Sequence, residues 1–186
     1  MTTLYGTTDV AISMKESVSR VRLFDGPLDL SWHHCATTSD FIADLFALRY
    51  QSSRNEYKEV RHCIGYLANE LIENAMKFRA LGEIMIEASM DSESFKMKVS
   101  NVVDDKTASE FQSLLAEITV GDPSDHLIQR IEANAADPDR SRSGLGLLTL
   151  MSDYGAHLAW IFSPSEENDR ICLETYASLV VSPTHN

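Results

Sequence analysis

"NELIENAMKF", residues 69–78, sets Glu70 and Asn74 one helical turn apart on a segment whose other residues pattern as a buried face. Across 55–78, Ile64, Leu67, Leu71, Ala75 and Phe78 recur on one stripe, which predicts a long amphipathic helix ending before Gly82. At 100° per residue, Glu70, Asn74 and Lys77 fall within about 60° of one another beside that stripe. Two readings are open for these three residues. They are a solvated helix edge that tunes i,i+4 pairing, or they line the rim of a magnesium-nucleotide pocket. Magnesium takes oxygen ligands and is held through phosphates plus one or two protein groups. Asn74 supplies such an oxygen, and Glu70 is then placed to polarise a water or an incoming hydroxyl.

Working outward, "TTSDFIADLFALRYQ" (37–51) reads as a helix started by Ser39 and Asp40. Ahead of it, "SVSRVRLF" (17–24) and "LDLSW" (28–32) alternate as strands do across the turn "DGP", and residues 1–16 read as a loose N-terminal arm. On the other side, "EIMIEASM" (83–90) and "SFKMKVSNVV" (94–103) form a hairpin. Residues 104–135 carry two amphipathic helices broken at "VGDPSD", with Ser124 or Asp125 capping the second. A polar loop "ADPDRSRSG" (136–144), a short apolar helix "LGLLTLMSDYG", and two strands, "AHLAWIF" and "RICLETYASLVV", complete the chain. This order predicts an α+β fold, a two-layer α/β sandwich with a mixed β-sheet and helices on one face. Residues 17–186 make a single domain behind the arm.

Composition excludes several classes of function. With 44% hydrophobic and 24% charged residues the chain is globular in type, and its net charge of −12 repels nucleic acid at long range. A small anion such as ATP remains admissible, because a metal and local donors dominate within a Debye length of about 8–10 Å. The start lacks the pattern of a signal peptide and no apolar run is long enough to span a bilayer, so a cytoplasmic location without membrane attachment is expected. Cys35, Cys63 and Cys172 are too few and too scattered for a disulfide framework, and "HHC" (33–35) has no second cluster to complete a zinc site. Trp32 and Trp160 read first as core residues, with interface anchors as the alternative.

A second motif gives weight to the first. In "RSRSGLGLLTLM" (140–151), Gly144 and Gly146 open a short helix, where free N–H groups and the positive end of the helix dipole favour phosphate. Arg140 and Arg142 add fork-shaped donors suited to phosphate oxygens. Taken alone, Gly-Leu-Gly before an apolar run also fits close helix packing.

Together and in this order, "ELIENAMKF" and "SGLGLLTLM" resemble the N box and G2 box of the GHKL (histidine kinase-like) ATPase superfamily. The resemblance spans residues 55–181. It implies the histidine kinase-like ATPase fold, Glu70 as catalytic carboxylate, Asn74 as the magnesium-binding residue, and Gly144, Leu145 and Gly146 beneath the triphosphate. The family's G1 box, whose aspartate reads the adenine amino group, is replaced here by "VSNVVDDKTASEF" (99–111). Asn101 can accept the same hydrogen bond without the charge, but no glycines follow it. Among family members the chain is similar to the SiaB-like group and to anti-sigma-factor Ser/Thr kinases of partner-switching systems. That similarity implies an ATP- and Mg²⁺-dependent kinase acting on a small regulator protein of anti-sigma-antagonist type. Lys77, Arg140 and Arg142 would contact phosphates. The alternative is a non-catalytic binding module that sequesters a regulator, its nucleotide use lost with the G1 glycines. "FDGPLDLSW" offers an edge across which two copies could pair as a homodimer.

Overall fold

The computed structural model describes residues 2–12, 19–24, 32–80, 82–136, 144–165 and 170–181. Its sheet has six strands: β1 (Thr3–Gly6), β2 (Ser19–Leu23), β3 (Ile84–Met90), β4 (Ser94–Val103), β5 (His157–Pro164) and β6 (Ile171–Val180). They lie in the order β1-β5-β6-β4-β3-β2. The helices are α1 (Thr8–Ile12), α2 (Trp32–Ala47), α3 (Arg54–Phe78), α4 (Asp105–Ile118), α5 (Pro123–Ala136) and α6 (Leu145–Ser152).

Strict alternation in β4 divides the sheet's two faces. Phe95, Met97, Val99, Asn101 and Val103 are buried, while the residues between them are only partly covered. The buried set joins Leu158, Trp160 and Phe162 of β5 in one core with side chains from α2, α3, α4 and α6. Trp160 and Phe162 are therefore core residues, and Phe111 of α4 meets both edge-on. The chain is thus an α+β sandwich, with the long helix α3 laid across the sheet.

Three details depart from the sequence reading. Every strand pairing among the described residues is antiparallel, where a mixed sheet was expected. Two hairpins supply local antiparallel pairs. The three-helix connection brings β5 back in the direction of β4, yet β6 inserts between these two strands and pairs antiparallel with both. A parallel crossover is present without a parallel pair. Second, Thr3–Gly6 are not a loose arm but an edge strand in register with β5, Tyr5 opposite Trp160. Helix α1 then lies on the face away from the other helices, burying Val10 against Ala159 and Tyr176. Third, α2 starts at Trp32, and Ser39 lies inside it. Its hydroxyl donates to the Cys35 carbonyl (2.8 Å), a back-bond within the helix rather than a cap. The remainder of the strand expected over 28–32 lies outside the described residues.

Helix α3 runs much as expected. Ser53 caps it by accepting from the Glu56 amide (3.4 Å), and Ile64, Leu67, Leu71 and Ala75 are buried. Asp104 alone links β4 to α4, and it accepts from the Thr107 amide (2.7 Å) as the α4 cap. Pro123 takes the first position of α5, and the carboxylate of Asp122, rather than Ser124 or Asp125, accepts from the Ser124 amide there (2.7 Å).

The outer face of the sheet is ionic. Glu87 lies between Arg20 (2.6 Å) and Lys98, and Lys98 also reaches Glu174 (3.4 Å). Its two cations hold the Glu87 carboxyl below the usual range, chiefly through the bond from Lys98. Burial, reinforced by Glu174, pushes Tyr176 up to about 12. No helix among the described residues is long and apolar enough to cross a membrane.

Candidate functional site

The two sequence motifs meet. Glu70 projects from the middle of α3 toward the first turn of α6, and its carboxylate occupies the space that a β-carbon on Gly146 would fill. A side chain at position 146 would require the Glu70 carboxylate to move. Gly144 begins α6 as its N-cap with φ +86°, a left-handed conformation that favours glycine, and Leu114 of α4 packs beneath it. Among the described residues no side chain caps α6, and its first turn holds no acidic residue. The ladder begins with Leu148 donating to the Gly144 carbonyl (3.0 Å), which leaves the N–H groups of Leu145, Gly146 and Leu147 without intrahelical acceptors.

Burial pushes the Glu70 carboxyl above its ordinary value, and the nearby Glu73 adds to the effect. The positive end of a helix acts in the opposite direction, typically by about 0.3–1 kcal/mol. Glu73 is held one turn from Asn69, whose amide donates to it (2.9 Å). Asn74 follows Glu70 on α3, half-buried. Its amide oxygen and the Glu70 carboxylate are hard oxygen donors, a set that suits a magnesium ion also bound to phosphate. Among the described residues no group of three or more His, Cys, Asp or Glu side chains is arranged for a metal, so any ion here would depend on ligand oxygens.

Of the remaining candidates, Lys77 and Asn101 are among the described residues. Lys77 is exposed, with its ammonium 4.8 Å from the centroid of the Phe78 ring. Asn101 is 3% exposed on the helix-facing side of β4, and its Nδ2 has no hydrogen-bond partner among the described residues. A buried amide left unpaired costs free energy and marks a place where a ligand or water can bind. Arg140 and Arg142 lie outside the described residues. Two cavities lie away from the Glu70–Gly146 contact. One of about 490 Å³ is lined by Thr7, Thr119, Met151 and His157 among others. The other, of about 330 Å³, is lined by Asp105, Gln112, Phe162 and Arg170 among others.

Reading the motifs missed a row of side chains beside them. His62, Tyr66, Glu70 and Asn74 succeed one another at four-residue spacing on α3. Tyr66 stacks on Tyr154 at 4.8 Å with the rings 8° from parallel, and the Tyr154 hydroxyl lies 3.2 Å from His62 Nε2. The four-residue spacing was legible; the partners on the far side were not.

No protein-family model and no curated protein matches the chain. Among solved structures, it is similar to a chain of the SiaB–SiaC complex from Pseudomonas aeruginosa, with a TM-score of 0.61. The likeness covers 86% of this chain and 89% of that one at 14% identity, so what is shared is the fold.

Proposed function

We propose that the chain is a GHKL-type protein Ser/Thr kinase of partner-switching signalling, acting in the cytoplasm on a small regulator protein with ATP and Mg²⁺. The observation that carries this reading is the seat of Glu70 on Gly146. It puts a carboxylate with a raised proton affinity beside a helix start whose amides are open. A general base is most useful when its pKa approaches the working pH, and burial moves Glu70 in that direction.

The chain's own residues divide the work. Open amides at Leu145 and Gly146 would receive phosphate oxygens, as helix starts do. Glu70 would orient the acceptor hydroxyl of the regulator and take its proton as phosphate transfers. Asn74 would hold Mg²⁺ through its carbonyl, and bound Mg²⁺ supplies charge neutralisation between the phosphates and the carboxylate. The unpaired Nδ2 of Asn101 is a donor, which would suit a ring-nitrogen acceptor of the base rather than its amino group. The SiaB–SiaC complex supports a protein partner, since its fold is one that assembles with a second protein.

Calorimetric titration with ATP, with and without Mg²⁺, tests the reading. Magnesium-dependent heat that Asn74→Ala removes supports it, and labelled phosphate on a Ser or Thr of a candidate regulator completes it. Absence of binding at saturating nucleotide overturns it.

A second reading rests on one observation. Where a glycine-rich adenine loop would stand, β4 passes into α4 through Asp104 alone. A fold that has closed this loop could serve as a binding module that sequesters its regulator without nucleotide. Under that reading a regulator binds equally well whether or not ATP is present.

A further inference from the structure

The cavity of about 490 Å³ lies where the ends of α4 and α6 come to the start of β5. Ile118, the last residue of α4, and Met151, the last but one of α6, both line it, and Pro123 and Leu158 extend its apolar wall. Its volume falls in the range of small-molecule pockets. Among the described residues no Asp, Glu, Lys or Arg lines it; Thr7 and Thr119 bring hydroxyls and His157 an imidazole.

Two helix C-termini give this cavity its sign. The Thr119 amide (3.0 Å) and hydroxyl (2.7 Å) donate to the Leu115 carbonyl, and the amides of Asp153 and Ala156 donate to the carbonyls of Thr149 and Leu150 (2.9 Å each). Among the described residues no hydrogen bond reaches the carbonyls of Ile118 and Met151. Neither helix has a basic residue in its last turn, where a cation ordinarily answers the negative end of the dipole. The positive ends nearby are already answered. Helix α5 reaches the cavity at Pro123, and the Asp122 carboxylate accepts from its Ser124 amide (2.7 Å), while α1, which follows Thr7, carries Asp9 in its first turn. We propose that this cavity is a binding site for a small organic ammonium ion, its charged head at the ends of α4 and α6 and its apolar body against Ile118, Pro123 and Leu158. The site stands apart from the Glu70–Gly146 contact, which lies at the other end of α6, and it requires neither nucleotide nor kinase activity.

The test is made on the full chain without nucleotide, so that failure of ATP binding leaves its outcome intact. Hexylammonium chloride is titrated into the protein while the methyl signals of Ile118 and Met151 are followed by NMR. Hexanol, which keeps the alkyl chain and lacks the charge, is titrated at the same ionic strength. Saturable shifts of both methyl signals are expected with hexylammonium, and binding of hexanol is expected to be weaker by roughly 3- to 30-fold, the combined effect of two helix ends. Thr7 lines the cavity yet is exposed, so Thr7→Trp narrows its mouth at a position that tolerates a larger side chain. This variant is expected to melt as the wild type does and to lose the hexylammonium shifts. The proposal is overturned by the absence of saturable shifts in the wild type, by hexanol binding as tightly as hexylammonium, or by undiminished hexylammonium binding in Thr7→Trp.

Discussion

The carboxylate of Glu70 stands where a β-carbon on Gly146 would be, so any side chain at position 146 requires that carboxylate to swing away. Gly146→Ala is therefore expected to push the Glu70 carboxylate aside, a displacement that offsets the roughly 1 kcal/mol alanine gains over glycine as a helix former. In a Glu70→Ala background the obstacle is gone and alanine is the better helix former, so the same change should be neutral or stabilising by up to about 1 kcal/mol. Chemical denaturation of the four proteins of the cycle measures the coupling. Additive effects would mean that the two residues do not meet.

Glu70 also predicts a pH signature. Its carboxyl is raised in the folded chain, by burial first and Glu73 second. Well below its unfolded value it is protonated in both states and contributes no penalty. As pH rises toward and through the folded value, the unfolded chain ionises first and stability is lost. Glu70→Gln removes this loss. Its melting temperature should exceed that of the wild type by a margin that grows from acidic to neutral pH, and a constant margin would contradict the burial of the carboxylate.

Asn101 offers a trade between stability and binding. An unpaired buried amide costs about 1–3 kcal/mol, so Asn101→Leu should raise the melting temperature of the free protein by roughly 2–4 °C for each kcal/mol recovered. If the amide serves a base, the same substitution should abolish the additional shift produced by Mg-ATP. Thermal melts with and without nucleotide read both effects.

The edge strand depends on Gly6. Its φ is +81°, and a β-carbon there would overlap the backbone carbonyl of Leu158 on β5. Gly6→Ala is expected to destabilise by about 1–2 kcal/mol from backbone strain alone, and more from the overlap. Hydrogen exchange should show lost protection at Leu4 and Tyr5 while β4 and β6 remain protected. Unchanged exchange in β1 would restore the picture of a loose arm.

Legibility of the sequence followed the range of the interaction being read. Helix α3 was readable because its apolar stripe is a local feature. The β3–β4 hairpin was readable because its turn residues are local too. Direction and neighbourhood of strands were not, since nothing in 94–103 or 157–164 records that β6 will stand between them. Thr3–Gly6 looked loose for a similar reason: four residues carry too little pattern, and the strand exists only because β5 presents an edge. Ser39 misled because a serine hydroxyl serves equally as a cap or as a bond to the carbonyl four residues back. At the site, spacing along α3 and α6 brought out Glu70 and Gly146, and the structure brings these two together. Tyr66 and Tyr154 carried no motif, and their stacking arises only from how α3 packs against the end of α6.

The insertion of β6 between β4 and β5 has a consequence for how the molecule assembles. β6 follows every other strand in the chain, yet it is the one that joins the β1-β5 pair to the β4-β3-β2 ladder. Until it docks, two half-sheets with unpaired inner edges must wait for their keystone, a long-range closure that slows folding and exposes sticky backbone in the interval. During synthesis, therefore, the vulnerable period for misassembly should last until Ile171–Val180 has left the ribosome, and a chain cut short before that segment should aggregate rather than retain half a fold.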